Sequence, residues 1–174
     1  MPTSVVDLEV ADDARESSVG VVRDALQSYA GRGVFRSFSE TGGREGRRDF
    51  RFLWLREEPF ELSFDPRRGT IRFKDLLPGI AASSEMYKDL KGFLKRRCSE
   101  ELPEHRRIDS GRASVKAYNR GGKVSVTLQV KGDDYAYGVN RAVNLVHEIF
   151  MVFLKDGPYY EYMIDHLGLD VDEE

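Results

Sequence analysis

The runs Ala113-Ser114-Val115-Lys116-Ala117 and Val124-Ser125-Val126-Thr127-Leu128-Gln129-Val130 decide the fold. Asn119-Arg120-Gly121-Gly122 stands between them. Period-two alternation broken by such a turn-forming cluster predicts a β-hairpin with one buried face. Asp133 and Asp134 follow, and then Val139, Ala142, Val143, Val146, Ile149, Phe150, Phe153 and Leu154 recur at helical spacing until Asp156-Gly157-Pro158. This helix, from about Asp134 to Lys155, is the longest apolar one in the chain. It needs a large apolar surface, and the valine face of the hairpin is the nearest one. A helix lying on a sheet is therefore the expected centre of the fold.

Outward from the hairpin, the preceding segment reads as a polar linker with His105, Arg106 and Arg107. Before it, Ser83 or Ser84 caps a helix whose stripe is Met86, Tyr87, Leu90, Phe93, Leu94 and Cys98. Lys95, Arg96 and Arg97 near its end complement the helix dipole. Four strands come earlier. The first lies near Val34 to Ser39 and is followed by a loop, Thr41-Gly42-Gly43-Arg44-Glu45-Gly46. The others carry Phe50, Phe52 and Trp54, then Phe60, Leu62 and Phe64, then Ile71 and Phe73, with Arg72 and Lys74 opposite the last pair. Leu76-Leu77-Pro78-Gly79-Ile80 reads as an apolar loop. Connections this short force antiparallel pairing. Ser17 or Ser18 is the expected cap of a first helix bearing Val19, Val22, Leu26 and Tyr29. A short last helix after Pro158 ends at Gly168.

The expected class is thus α+β: an antiparallel sheet of about six strands packed by helices, in the order α-ββββ-α-ββ-α-α. The expected organisation is an acidic N-terminal arm over 1–16, a single domain over 17–168 and an acidic tail over 169–174. A chain of 174 residues fits one domain and can bury roughly 70% of its unfolded surface. One cysteine, Cys98, forbids an intrachain disulfide and fits a reducing compartment. No run approaches a membrane span, and the acidic start has no apolar signal core. The expected location is cytoplasmic, without membrane contact.

Charge is unevenly spread. Residues 20–131 carry 24 Lys and Arg against 15 Asp and Glu, whereas the flanks carry 3 against 15. A basic body with acidic flanks reads either as self-neutralisation or as a face for an acidic partner. On the outer face of the hairpin, alternation places Arg112, Lys116, Tyr118 and Arg120, with Lys123 and Lys131 across the turn. Basic side chains interleaved with an exposed tyrosine suit phosphates and a stacked base, although a solvated sheet face has the same pattern.

Catalytic and metal-binding motifs fail one by one. His147-Glu148 opens like a zincin motif, but Met151 holds the place of the second histidine. Gly31-Arg32-Gly33 ends a helix and precedes a strand, the wrong context for a dinucleotide site. Cys98 sits among arginines but on an apolar stripe, as a core filler does. No catalytic residue, cofactor or metal ligand is therefore assigned. Tyr135, Tyr137, Tyr159, Tyr160 and Tyr162 flank the long helix, whose Leu145 and Val152 widen its apolar surface beyond what one sheet requires. Together these seven are the expected interaction surface, for a second copy or another protein.

The element order resembles, in topology alone, that of type III secretion chaperones. Those place a helix before an antiparallel sheet, interrupt the strands with a second helix and close with a third. This chain adds a fourth strand to the first block and a short last helix. The resemblance implies a non-catalytic, homodimeric protein-interaction module, chaperone- or adaptor-like. The alternatives are a nucleic-acid or other polyanion binder using the basic face, and a domain holding a small apolar ligand between sheet and helices.

Overall fold

A computed structural model describes residues 5–168, with side chains from Asp13 onward. The elements are α1 (Val5–Gly31), β1 (Ser37–Gly42), β2 (Arg48–Leu53), β3 (Phe60–Asp65), β4 (Thr70–Leu77), α2 (Glu85–Arg96), β5 (Ala113–Arg120), β6 (Lys123–Val130), α3 (Tyr135–Glu148) and α4 (Tyr160–Leu167). The fold is α+β, with one six-stranded antiparallel sheet of strand order β1-β2-β3-β4-β6-β5. Among the described residues, no helix is long and apolar enough to cross a membrane.

The hairpin forms as its sequence dictates. Gly121 and Gly122 adopt φ of +59° and +87°, the left-handed pair that a two-residue turn needs and that glycine enters at little cost. Asn119 ties the turn down: its Oδ1 accepts from the Gly122 N–H and its Nδ2 donates to the Ile80 carbonyl. Alternation then turns Ala113, Val115 and Ala117 of β5 and Val124, Val126, Leu128 and Val130 of β6 to one face. All are buried except Val115 and Ala117, which are half-buried at the sheet edge.

That inner face continues through Phe50, Phe52, Phe60, Leu62, Phe64, Ile71 and Phe73, all buried. Trp54 is buried too, just beyond the end of β2, with its ring 5.5 Å from those of Phe35 and Phe60. Helix α3 lies on this surface, and Gly138 sets its approach. A Cβ there would stand 2.5 Å from Val130 Cγ2 and 3.0 Å from Ile71 Cδ1, so any larger residue pushes the helix off the sheet. Asp134 caps α3 by accepting from the Tyr137 N–H at 3.1 Å. Helix α1 packs on α3 through the side bearing Val19, Val22 and Leu26, all buried.

Four local expectations are corrected. Helix α1 runs from Val5, so neither Ser17 nor Ser18 is its cap; the Ser18 hydroxyl donates to the Ala14 carbonyl one turn earlier. Residues 5–16, expected as an arm, therefore lie within a helix, whereas 1–4 and the tail 169–174 fall outside the described residues. Strand β1 starts at Ser37 and reaches Gly42, later than its apolar residues suggest. Leu76-Leu77 is strand rather than loop: a bulge with Asp75 at φ +46° lets β4 resume pairing at Leu77↔Val124. The long helix is not α-helical throughout, since Ile149–Lys155 is a π-helical segment continuing α3.

Candidate functional site

The helices cover one face of the sheet and leave the other open. Pairing sets outward residues in rows across strands that are distant in sequence. One row runs Asp49, Ser63, Arg72, Thr127, Lys116 over β2, β3, β4, β6 and β5. Another sets Arg51, Glu61 and Lys74 side by side, and Tyr118 stands opposite Ser125. Ser63, Arg72, Thr127, Lys74 and Tyr118 of these rows lie in a shallow groove of about 490 Å³, whose lining also includes Arg47, Asp65, Arg68 and Arg120.

Two features shape its charge. The Asp65 carboxylate is used by the β3–β4 turn, where Oδ1 accepts from the backbone N–H of Arg67 and Arg68. Its Oδ2 is 4.0 Å from Arg68 Nε, an exposed contact of little energy. Among the described residues, no carboxylate lies within ion-pair distance of Arg72, Lys74 or Arg120. Arg72 is steadied across the sheet instead, donating to Ser125 Oγ at 3.3 Å, and that oxygen also accepts from the Asp75 N–H in the bulge. Tyr118 is 54% exposed, the largest exposure among the big apolar side chains, with its ring at the groove.

The residues expected on a basic face divide accordingly. Tyr118 and Arg120 line the groove, Lys116 pairs with Thr127 of its floor but lines a separate hollow beside α2, and Lys123 is exposed beside Arg120 at the end of the hairpin. Arg112 is taken up elsewhere. It bridges to Asp134 at 2.6 Å and stacks 3.6 Å from the Tyr137 ring centre, holding the start of α3. Lys131 Nζ donates to the Ser110 carbonyl. Arg47, Arg68, Arg72 and Lys74 were not assigned from sequence. For Arg72 and Lys74 the signal was present, as the outward positions of β4. The β4–β6 pairing that brings them to Tyr118 has no local signature.

Of the seven residues of the expected interaction surface, two are buried, four are half-buried and one is exposed. Leu145 and Tyr135 are buried within the chain, the Tyr135 ring lying edge-on to Phe64 at 4.9 Å. The Tyr137 hydroxyl accepts from the Asp109 N–H at 2.9 Å. Tyr159 donates to Asp89 Oδ2, Tyr162 donates to the Pro78 carbonyl at 2.5 Å, and Tyr160 is half-buried against the core. Val152 alone of the seven is exposed.

His147 and Glu148 serve separate ends. The His147 ring is exposed and stacks on Trp54 at 6.4 Å, while Glu148 binds Arg97 and Arg106. Among the described residues, no three of His, Cys, Asp and Glu are grouped to hold a metal ion. Cys98 is half-buried, and burial pushes its thiol pKa up, away from reactivity. Comparisons of the chain with protein-family models, curated proteins and solved structures find no match.

Proposed function

We propose that this protein binds a polyanion, single-stranded nucleic acid, across the open face of its sheet. The observation that carries this reading is the groove lined by Arg47, Arg68, Arg72, Lys74 and Arg120 together with an exposed Tyr118, against one carboxylate, Asp65. Arg72 and Lys74 on β4 and Arg120 on β5, with no carboxylate in ion-pair range among the described residues, suit a phosphodiester backbone, and an exposed phenol ring suits a stacked base. A solvated sheet face needs neither the excess of one sign nor the aromatic.

The other readings have less support. The interaction module and homodimer retain the topological resemblance, but most of the side chains expected to mediate contact are engaged inside the chain. The aromatics expected to line an apolar ligand pocket pack on one another instead. Phe60 contacts Phe52, Phe73 and Phe150 at centroid distances of 5.9, 6.2 and 5.7 Å.

The test is fluorescence anisotropy with a labelled single-stranded oligopyrimidine at several salt concentrations. Four to five phosphates neutralised give a slope of log K against log salt of about −3. The double substitution Arg72→Gln/Lys74→Gln should flatten that slope by about 1.4. Tyr118→Ala should weaken the oligonucleotide roughly tenfold and leave heparin retention unchanged, since heparin has no base to stack. Absence of binding to either polyanion at low salt, or binding indifferent to the double substitution, would refute the proposal.

A further inference from the structure

On the helix side of the molecule, away from the open sheet face, the C-terminal end of α2, the segment before β5 and the second half of α3 enclose a cleft of about 320 Å³. Arg97, Arg106 and Arg141 line it with one carboxylate, Glu148, while Ile108 and Leu145 supply apolar wall. Arg97 is the C-cap residue of α2, and its carbonyl accepts from the Ile108 N–H at 2.9 Å. Its side chain is 9% exposed. Nη2 reaches Glu148 Oε2 at 3.5 Å, longer than a good charge-assisted hydrogen bond, and the guanidinium lies 4.6 Å from the Phe93 ring centre. Nη1 is buried and has no hydrogen-bond partner among the described residues.

Arg141 repeats the pattern. Its Nη1 and Nη2 donate to the carbonyls of His105 and Glu104, which fixes the guanidinium plane, while its buried Nε has no partner among the described residues. Arg106 shares Glu148, at 3.4 Å to each oxygen. Two buried cationic donors unsatisfied around one cleft are costly, and native interiors rarely keep such groups without use. Burial also pulls the Arg97 pKa below its ordinary value, only partly offset by Glu148.

We infer that this cleft is a binding site for a small phosphate monoester, with the phosphoryl group held among the guanidinium groups of Arg97, Arg106 and Arg141 that line it. The charges select the class. Three guanidinium groups against one carboxylate leave two positive charges, which match a phosphate monoester near −2 better than a carboxylate at −1. The volume lies at the lower end for ligand pockets, room for a phosphoryl group and a small body. Ile108 and Leu145 give that body an apolar wall. None of these residues belongs to the sheet groove, so the inference stands apart from polyanion binding.

Isothermal titration calorimetry of the full chain with phenyl phosphate, inorganic phosphate and benzoate tests it. Phenyl phosphate should bind saturably at one site, with benzoate at least about tenfold weaker for want of the second charge and the tetrahedral oxygens. Arg97→Met should weaken phenyl phosphate about tenfold or more, as loss of a charge-assisted donor does, and Arg106→Gln several-fold. Arg106 is exposed enough that its replacement leaves folding intact, so this variant decides the matter if Arg97→Met does not fold. Arg72→Gln, on the opposite face, should change nothing. No saturable heat at millimolar phenyl phosphate, equal affinity for benzoate, or binding lost in Arg72→Gln and kept in Arg106→Gln would each overturn the site.

Discussion

Two buried arginines divide this molecule into a part that is complete and a part that is not. Arg56, between β2 and β3, is 7% exposed, and Arg97 is 8% exposed. Both lie against a phenylalanine ring, Arg56 on Phe60 at 4.2 Å and Arg97 on Phe93. For both, burial pulls the pKa below its ordinary value. Their hydrogen bonds differ. Arg56 donates from Nη1 to the Leu76 carbonyl at 2.6 Å, from Nε to that of Glu58 and from Nη2 to that of Pro59. It thereby satisfies an irregular stretch where Leu55 sits at φ +58° and regular pairing has stopped. Arg97 satisfies no irregular backbone with its side chain, and one of its nitrogens is left over. A guanidinium with every nitrogen bonded to a backbone carbonyl holds the fold together. One that lines a cleft and keeps a nitrogen without a partner is left for another role.

The largest effect expected from this contrast is on Arg56. Arg56→Met keeps most of the volume but strips donors from three carbonyls, of which that of Leu76 is beyond the reach of water. Each such loss costs about 1–3 kcal/mol, partly recovered by no longer burying a charge, so a net loss of about 3 kcal/mol is expected. Urea denaturation measures it. An unchanged midpoint would mean that the carbonyls find other donors, and the first half of the comparison would fail.

How far this was legible in the sequence follows the range of the interactions concerned. The hairpin was legible because Gly121-Gly122 and the valine alternation are local. So was the aromatic face of β2 to β4, and with it the fold class. Leu76-Leu77 was misread because the bulge at Asp75 resets the alternation, which period counting cannot follow. The π-helical segment was missed because seven residues, Ile149–Lys155, are too few to separate its period from that of an α-helix. The start of α1 was misplaced because Ser17 and Ser18 are the residue types that cap helices, and here they fall inside one. Only the hairpin's part of the groove was visible, as Tyr118 and Arg120, because the pairing of β4 with β6 spans a whole intervening helix and cannot be read locally. The roles of Arg56 and Arg97 were invisible. Each sits among other charged residues, and only geometry shows which one has spare donors.

A smaller effect is expected in alkali, again on the Arg56 side. Burial holds the Tyr162 phenol well above its ordinary pKa, with nearby Arg56 pulling it partly back. The bond from Tyr159 to Asp89 raises that phenol to about 12. As pH passes 10, the unfolded chain loses these protons before the folded one does. The stabilisation is complete below pH 10 and is lost as pH rises through the folded values. Stability to urea should therefore fall between pH 10 and pH 12, less so in Tyr162→Phe. In Arg56→Met the Tyr162 phenol should ionise at still higher pH, because a neighbouring positive charge is gone. Absorbance at 295 nm follows it. A Tyr162 transition unmoved by that substitution would separate the two groups that the comparison joins.

The smallest expected change is the most informative. Arg97→Met removes a buried cation whose Nη1 has no partner, and puts in its place a thioether that can keep the contact with the Phe93 ring. Breaking a buried ion pair usually costs several kcal/mol because the remaining charge is stranded. Here it is not stranded. Glu148 is 23% exposed and keeps Arg106 at 3.4 Å, so water and a second guanidinium both remain to it. The desolvation of Arg97 that burial imposes is relieved at the same time. These terms oppose one another, and the net change in stability should stay within about 1 kcal/mol, with either sign acceptable. A near-neutral substitution at a residue this deeply buried would show that its charge adds no net stability to the fold. A loss as large as that of Arg56→Met would make Arg97 a second structural arginine, and would remove the reason to look for a ligand beside it.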